Sequence, residues 1–492
     1  MNILLFSMPD AVPELRTWQA PNLALSSITG NTNGHEINVV DLVLVRNRLK
    51  ETIKGLLKDY KPDLIGLTAM SFQFETARCV AAFIKGLDPD IKTVLGGYHA
   101  TLMYKEIVDE GKAEPFDFII RGEGDLSFGE LLQAIEGKAR YEDVKGLSFR
   151  NKGTFIHNPP RPLEDLSKIA IPSRSNRLLK GYAFGTIQLD IIETSRGCTM
   201  PCNFCSMNRM YGRSFRTYDI ERVIGDIANA KRCGAKYLAI TDDNICLNVK
   251  RLEELCDAII SAGHNDISYV VQTSSTGMSS SERLIEKMAR AGFEMVFLGV
   301  ENVSERNLKS MKKGNIVDNT KRAVEYLHKY NILIIGGLII GHAEDTEEDI
   351  AQNYEFFDKH DLDFFSDQII TPYPKTEARE ELLRDNLVTN PHDFRKYNGF
   401  WANVRTKHLS SEELQFVKWK YRRKYSTFYK TTPTFKYRFP LVDLLRVFAL
   451  RPYYRTKDMV RAIGKTEHQV FKDQMNWYYN LNEFPELETT VN

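Results

Sequence analysis

Cysteine is scarce in this chain, seven in 492 residues, and the number is odd. A chain this long with so few cysteines and no secretory leader is no disulfide framework, and a reducing, cytoplasmic setting is expected. Long apolar runs are missing too. The longest, Ile332 to Gly341, falls well short of the roughly 20 residues that span a bilayer, so no transmembrane helix is expected. The opening Met1-Asn-Ile-Leu-Leu-Phe-Ser-Met lacks a basic region and a small-residue cleavage site, and reads as a first core strand. No low-complexity tract or period-length repeat occurs, which excludes solenoids and arrays. Charge of one sign is not in excess either, with 66 Lys and Arg against 65 Asp and Glu. The length allows two or three cores.

Three of the cysteines stand together. Cys198, Cys202 and Cys205 lie in Glu193-Thr-Ser-Arg-Gly-Cys-Thr-Met-Pro-Cys-Asn-Phe-Cys205, directly after the strand-like run Ile187 to Ile192. Three thiolates are one short of a closed zinc site or a saturated cluster, and the open coordination position is where chemistry can happen. A zinc loop completed by a distant Cys or His is the plainer alternative. Cys79, Cys233, Cys246 and Cys256 show no mutual Cys-x2-Cys spacing, read as small buried apolar residues, and offer no obvious fourth ligand. The spacing Cys-x3-Cys-x2-Cys, with aromatic Phe204 before the last cysteine, resembles the signature of the radical SAM enzymes. The resemblance implies a 4Fe–4S cluster that holds S-adenosyl-L-methionine at its free iron and cleaves it to a 5′-deoxyadenosyl radical. It also implies that Phe204 lies against the adenine and that a reductant protein such as a flavodoxin or ferredoxin supplies electrons. Arg196 reads as neutralising charge near an anionic cluster.

Ahead of the cysteines, residues 1–140 alternate short apolar runs (Ile3 to Phe6, His35 to Val40, Leu64 to Leu67, Thr93 to Leu95, Phe116 to Ile120) with helical patterns. This predicts a parallel, doubly wound, Rossmann-like sheet with its ligand over the carboxyl ends of the strands. At those ends stand Thr68-Ala-Met-Ser71, Gly96-Gly97-Tyr98-His99 and Arg121-Gly122-Glu123-Gly124. Taken singly, each glycine is a tight turn. In this order before the cysteine triad they resemble the cobalamin-binding domain of a large radical SAM subfamily, which implies cobalamin contacts from Thr68, Ser71, Gly96, Gly97, Gly122 and Glu123. The lower-axial-ligand pattern Asp-x-His-x2-Gly is absent, since no histidine falls between His35 and His99. The resemblance therefore implies a cobalt without a protein nitrogen ligand.

Residues 141–185, with Asn158-Pro-Pro160, Pro162 and Pro172, read as a linker containing a hairpin around Asn151-Lys-Gly153. From 186 to 395, six strand-like runs recur between helices: Ile187 to Glu193, Tyr237 to Ile240, Ser268 to Gln272, Met295 to Val300, Ile332 to Ile340 and Phe364 to Thr371. A partial (β/α)6 TIM-type barrel is predicted, with its working residues at strand carboxyl ends. Here the radical SAM resemblance implies Asp242 and Asp243 at the methionyl amino group, Glu301 at the ribose, and Gly337, Ile339 and Gly341 (with Glu344) at the adenine. Two adjacent buried carboxylates repel, so one of Asp242 and Asp243 is expected to be hydrogen-bonded or to project into the site. Glu344 and Asp345 also suit a helix N-terminus.

Residues 396–492 are expected to be a helical, basic-aromatic region. Between 400 and 465, sixteen Lys and Arg face four Asp and Glu, a net +12 that leaves −11 elsewhere. Ser410-Ser-Glu-Glu413 has capping-box spacing; Leu414, Val417, Tyr421, Tyr425 and Phe428 share one helical face, and Lys418, Lys420, Arg422, Arg423 and Lys424 another. Either the helix braces the barrel or, with the run Phe439 to Leu450, it touches an anionic membrane as a peripheral contact. No nucleic-acid module is recognisable, and no nucleic acid is expected as a partner. The sequence resembles hopanoid methylases and the anaerobic Mg-protoporphyrin monomethyl ester oxidative cyclase. These imply cobalamin-dependent methylation of an unactivated carbon in a lipid-like or other small molecule, or radical cyclisation without net methylation. A non-catalytic iron–sulfur sensing protein is the alternative of a different class.

Overall fold

The computed structural model describes residues 1–12, 18–185, 187–425, 462–484 and 487. Its first sheet has seven strands in the order Glu36–Asp41, Asn2–Ser7, Leu64–Thr68, Lys92–Gly96, Phe118–Ile120, Leu147–Asn151, Thr154–His157. The first five run parallel. Side chains alternate across such a sheet, and both faces are covered. Leu4 and Phe6 pack with Ile53, Val80 and Ile84 on one side, while Ile3 and Leu5 pack with Leu25, Phe128 and Leu131 on the other. Each of these burials is worth about 1.5–3 kcal/mol. The strand order reverses between Asn2–Ser7 and Leu64–Thr68, which opens a crevice at their carboxyl ends. The last two strands are the hairpin that the sequence placed in the linker. It pairs antiparallel with Phe118–Ile120, so this sheet runs through His157.

The second sheet contains the six predicted parallel strands, observed as Ile187–Ile192, Tyr237–Ile240, Ser268–Ser274, Phe293–Glu301, Leu333–Ile340 and Phe364–Ile369. It is a curled, open partial barrel. Its free edge next to Ile187–Ile192 is extended by Ala183–Phe184 and then by Trp18–Gln19, a strand from the N-terminal region that crosses over to the second sheet. Leu189, Tyr237, Val270, Met295 and Leu333 form a small cluster apart from the main barrel core.

The helix Ser411–Tyr425 begins at the predicted capping box: Ser410 N donates to Glu413 Oε2 at 2.8 Å and Glu413 N to Ser410 Oγ at 3.3 Å. Leu414 and Val417 enter the barrel core, and Tyr421 and Tyr425 stack on Tyr354. Its cationic side is engaged as well. Lys418 is buried and donates to Phe400 O at 3.3 Å, Lys420 pairs with Glu347 at 2.9 Å, and Arg422 pairs with buried Asp367. Arg423 lies over Trp419 and Lys424 over Tyr425. The helix thus braces the barrel, while Arg423 and Lys424 remain exposed. The second run, Phe439 to Leu450, and the aromatic Phe428 lie outside the described residues. Farther on, Phe484 and Leu487 join the core of the first sheet, tying the C-terminal region to both sheets. Among the described residues no helix is long and apolar enough to cross a membrane.

Candidate active site

The three thiols sit on the loop that follows Ile187–Ile192. Gly197 turns that loop at φ +88°, where a Cβ would lie 2.4 Å from Ser214 O, so only glycine fits. Asn203 pins the loop from within: its N donates to Met311 O, and its Nδ2 donates to Ser310 O and Glu381 Oε2 at 3.0 Å each. Burial pushes all three thiols up, Cys205 to about 12, and Cys202 and Cys205 also feel the charge of neighbouring thiols. Such thiols are inert until a metal takes their protons. Among the described residues no three His, Cys, Asp or Glu converge closely enough to share one metal ion. A cubane binds each thiolate through a different iron, whereas zinc needs four donors at about 2.0–2.3 Å. The donor set fits the cluster and not the zinc loop. Cys246 is no spare ligand, since its thiol is bonded to Asn244 Oδ1 at 2.9 Å.

Asp242 and Asp243 divide as charge repulsion requires. Asp242 is fully buried; it accepts from Thr194 N, Thr194 Oγ1 and Ser195 Oγ, all at 2.6 Å, and burial lifts it to about 6. All these partners belong to the turn before Cys198, so Asp242 shapes the loop rather than facing a ligand. Asp243, less buried, accepts only from Gly197 N at 2.9 Å and lies within reach of Cys198 and Cys205. Glu301 is an L-residue at φ +63° beside a register shift, a strained geometry costing about 1–3 kcal/mol that clusters at functional sites. Its carboxylate folds over Gly299 and pairs with Lys313 Nζ at 2.8 Å. Lys313 is itself nearly buried, and Glu301 and the thiols of Cys202 and Cys198 hold its amine above the usual range despite its burial. No spacing in the sequence marks Lys313. The need to balance Glu301 is the only signal that points to it.

The predicted adenine segment is arranged differently along its length. Gly337 makes room for the Phe297 ring, 2.6 Å from where a Cβ would stand, and Gly341, at φ +84°, turns against Leu414 of the C-terminal helix. Ile339 is buried, and Phe204 packs on the barrel core as a partly buried residue. Glu344 points away to Lys407, whereas buried Asp345 fixes the turn by accepting from Gly341 N, His342 N and Asn307 Nδ2 at 2.8–3.0 Å. The next helix is capped by Thr346 with Asp349.

On the first sheet, a Cβ at Gly96 or Gly122 would meet only open space, whereas Gly97 is packed on Thr68 Oγ1. Ser71 is committed: its hydroxyl meets His99 Nδ1 at 3.2 Å, and the imidazole lies tilted against Phe74 and edge-on to Phe394. Burial lowers His99 to about 3, so the ring is neutral. Three polar groups at the strand ends are buried with an atom that has no hydrogen-bond partner among the described residues. They are Asp10, whose Oδ2 is free and which burial lifts to about 7, the Tyr98 hydroxyl, and Arg121 at its Nε. A crevice with side-chain-free glycines and unpartnered buried polar atoms suits a large, amide-rimmed ligand such as cobalamin. No sequence motif marks Asp10 or the Tyr98 hydroxyl as a ligand contact. Glu123 is not free for that ligand. It binds Arg196 at 3.1 Å and Arg216 at 2.7 Å, and Arg196 also holds Asp125 at 2.8 Å and Glu193 at 2.7 Å. Arg196 therefore bolts the two sheets together instead of screening a cluster.

Tyr98 brings the two halves to one space. Its phenol lies within electrostatic reach of Cys205 and of Tyr373, at the far end of the barrel. The helix it begins, Tyr98–Asp109, packs on Met207–Tyr211 just past the thiols, and Glu106 pairs with Lys375.

Residues 192–357 match the radical SAM superfamily, and residues 18–132 match the B12 binding domain. An uncharacterized methyltransferase of Pyrococcus horikoshii is 29% identical over 434 residues, covering 87% of this chain and 92% of that protein. The anaerobic magnesium-protoporphyrin IX monomethyl ester cyclase of Cereibacter sphaeroides is 27% identical over 393 residues, 78% of this chain and 62% of the cyclase. Among solved structures, the radical S-adenosylmethionine methyltransferase TsrM of Kitasatospora setae superposes with a TM-score of 0.67 at 18% identity, covering 79% of each chain. With the thiol loop inside the first match and the Thr68, Gly96 and Gly122 turns inside the second, the chain carries a B12 binding domain ahead of a radical SAM domain.

Proposed function

We propose that this enzyme methylates an unactivated carbon of a lipid-like or other small-molecule substrate, using a 4Fe–4S cluster, S-adenosyl-L-methionine and cobalamin. The observation that carries the reading is the packing of the helix Tyr98–Asp109, at the crevice of the first sheet, on Met207–Tyr211 just past the thiol loop, with the Tyr98 phenol in electrostatic reach of Cys205. Bound there, the cofactors would supply a radical that removes a substrate hydrogen and a methyl group that replaces it. The chain's own part is to hold and to screen. Cys198, Cys202 and Cys205 anchor the cluster and leave one position for the methionyl group. Asp243, not Asp242, takes its amino group. Glu301 faces the ribose hydroxyls, and Lys313 pairs with that carboxylate beside the cluster ligands. Phe204, with the Gly337 to Gly341 segment, frames the adenine. Asp10 and Tyr98 offer hydrogen bonds to the amide rim of cobalamin. Electrons come from a reductant protein such as a flavodoxin or ferredoxin.

Methyl-labelled S-adenosylmethionine tests the reading. Label is expected in the product, one methyl per molecule. Product free of label, with 5′-deoxyadenosine still formed, would favour cyclase-like chemistry, for which the similarity to the magnesium-protoporphyrin cyclase speaks.

The cobalt is expected to have no protein nitrogen ligand. His99, the histidine at these strand ends, is held by Ser71 and two aromatic rings. Electron paramagnetic resonance of the Co(II) form should show no nitrogen splitting from the protein; a splitting that disappears in His99→Ala would show the opposite.

A further inference from the structure

The thiol loop can also be approached from outside the barrel. A cavity of about 300 Å³ reaches Cys202 and Cys205 from the surface, and its walls include Asn203, Arg209, Arg213 and Glu377. Arg209 and Arg213 are exposed, and no ion pair or side-chain hydrogen bond engages either among the described residues. Glu377, the carboxylate at the rim, is already paired with Lys312. The mouth is therefore cationic, and its floor consists of two cluster ligands.

We infer that this mouth is the docking face for a small, acidic, one-electron carrier protein; the inference rests on the radical SAM reading. Each cleavage consumes one electron. The carrier is oxidised by one electron, the cluster is reduced by one, and that electron breaks the sulfur–C5′ bond to leave methionine and an adenosyl radical. No atom or proton has to cross the interface, so the cavity need not admit a ligand. Electron transfer weakens steeply with distance, and a carrier must come close to the thiolates. The inner side, where the helix Tyr98–Asp109 packs on Met207–Tyr211, is the space the proposed reading gives to substrate and cofactors. The outer mouth remains, on a loop that Asn203 holds rigidly to Ser310 and Glu381. Unpaired arginines around it raise the encounter rate of an acidic partner and select its orientation. Electron-transfer contacts are small and transient, so two arginines are a sizeable share of such a face.

The test compares the holoenzyme with the double variant Arg209→Glu, Arg213→Glu, using an acidic bacterial flavodoxin and an acidic ferredoxin as probes. Binding of the oxidised carrier is measured at low and high salt, and the rate of cluster reduction by the reduced carrier is followed optically, with dithionite in parallel. Charge reversal is expected to weaken binding and slow carrier-driven reduction by about tenfold or more at low salt, with the difference shrinking as salt screens it. Iron content and dithionite-driven reduction should be unchanged, and Arg209→Lys, Arg213→Lys should behave like the wild type. Equal affinity and equal carrier-driven rate in the wild type and the charge-reversed variant would overturn the assignment, as would failure of both carriers to bind the wild type. Absence of S-adenosylmethionine cleavage with dithionite would instead refute the enzyme reading itself, which the binding measurement does not depend on.

Discussion

Cys202→Ala is expected to yield a folded protein that loses its iron, from about four per chain to a small fraction of one. Cys202 is 6% exposed, and replacing one small side chain by another costs little packing, so circular dichroism and melting should change little. The metal site is far less tolerant. Three thiols raised by burial ionise only because the cluster binds them together, and removing one leaves two donors with no replacement. Cys246 is bonded to Asn244, and Cys256 is buried in a helix among barrel side chains. Formation of 5′-deoxyadenosine should fall to background. Full iron in this variant would remove the basis for the whole site.

Arg196→Met should have the next largest effect, on assembly of the two sheets. The guanidinium is 9% exposed at its side chain and balances Glu193, Glu123 and Asp125, themselves 7–13% exposed. Removing one partner of a buried ionic group costs about 3–5 kcal/mol, a large part of a stability of about 5–15 kcal/mol. Arg216 still serves Glu123, but Asp125 retains only neutral partners, Ser27 and its own backbone N–H. The pH dependence identifies the mechanism. Burial alone would raise Asp125; Arg196 overrides it and holds the carboxyl below its ordinary value. In the wild type this stabilisation is present above the ordinary carboxylate pKa and is lost only as pH falls through the depressed one. In the variant the carboxyl is raised instead, so the native state binds more protons than the unfolded chain. The variant should melt earliest at neutral pH and recover as pH falls toward 5. A uniform loss at every pH would mean that Arg196 acts by packing alone.

Local patterns were legible in the sequence where local physics sets the structure. The six barrel strands, the parallel first sheet, the cysteine triad and the Ser410 capping box all follow from periodicity, spacing or a four-residue motif. Partnerships across long sequence separations were not. The Trp18–Gln19 strand belongs to the second sheet, although its sequence position suggests the first. The hairpin around Asn151-Lys-Gly153 was legible, but its pairing with Phe118–Ile120 was not, because proline density reports a break in periodicity and not where the strands pair. Glu123 looked like a cofactor contact, yet its partners Arg196 and Arg216 are more than seventy positions away. Lys418 and Arg422 read as a solvated face because a helical wheel cannot show Phe400 or Asp367 arriving from elsewhere. Asp242 and Asp243 were indistinguishable until the turn at Thr194 and Ser195 was seen to claim the first.

The most direct test of the central claim, that three thiols and the ring around them cleave S-adenosylmethionine, is to count 5′-deoxyadenosine from the anaerobically reconstituted, reduced wild type. The account predicts 5′-deoxyadenosine in proportion to bound cluster, and sharply reduced formation in Asp243→Asn, while Asp242→Asn alters loop stability first. A protein that holds four irons, accepts electrons and forms no 5′-deoxyadenosine would contradict it and leave an iron–sulfur protein of another kind.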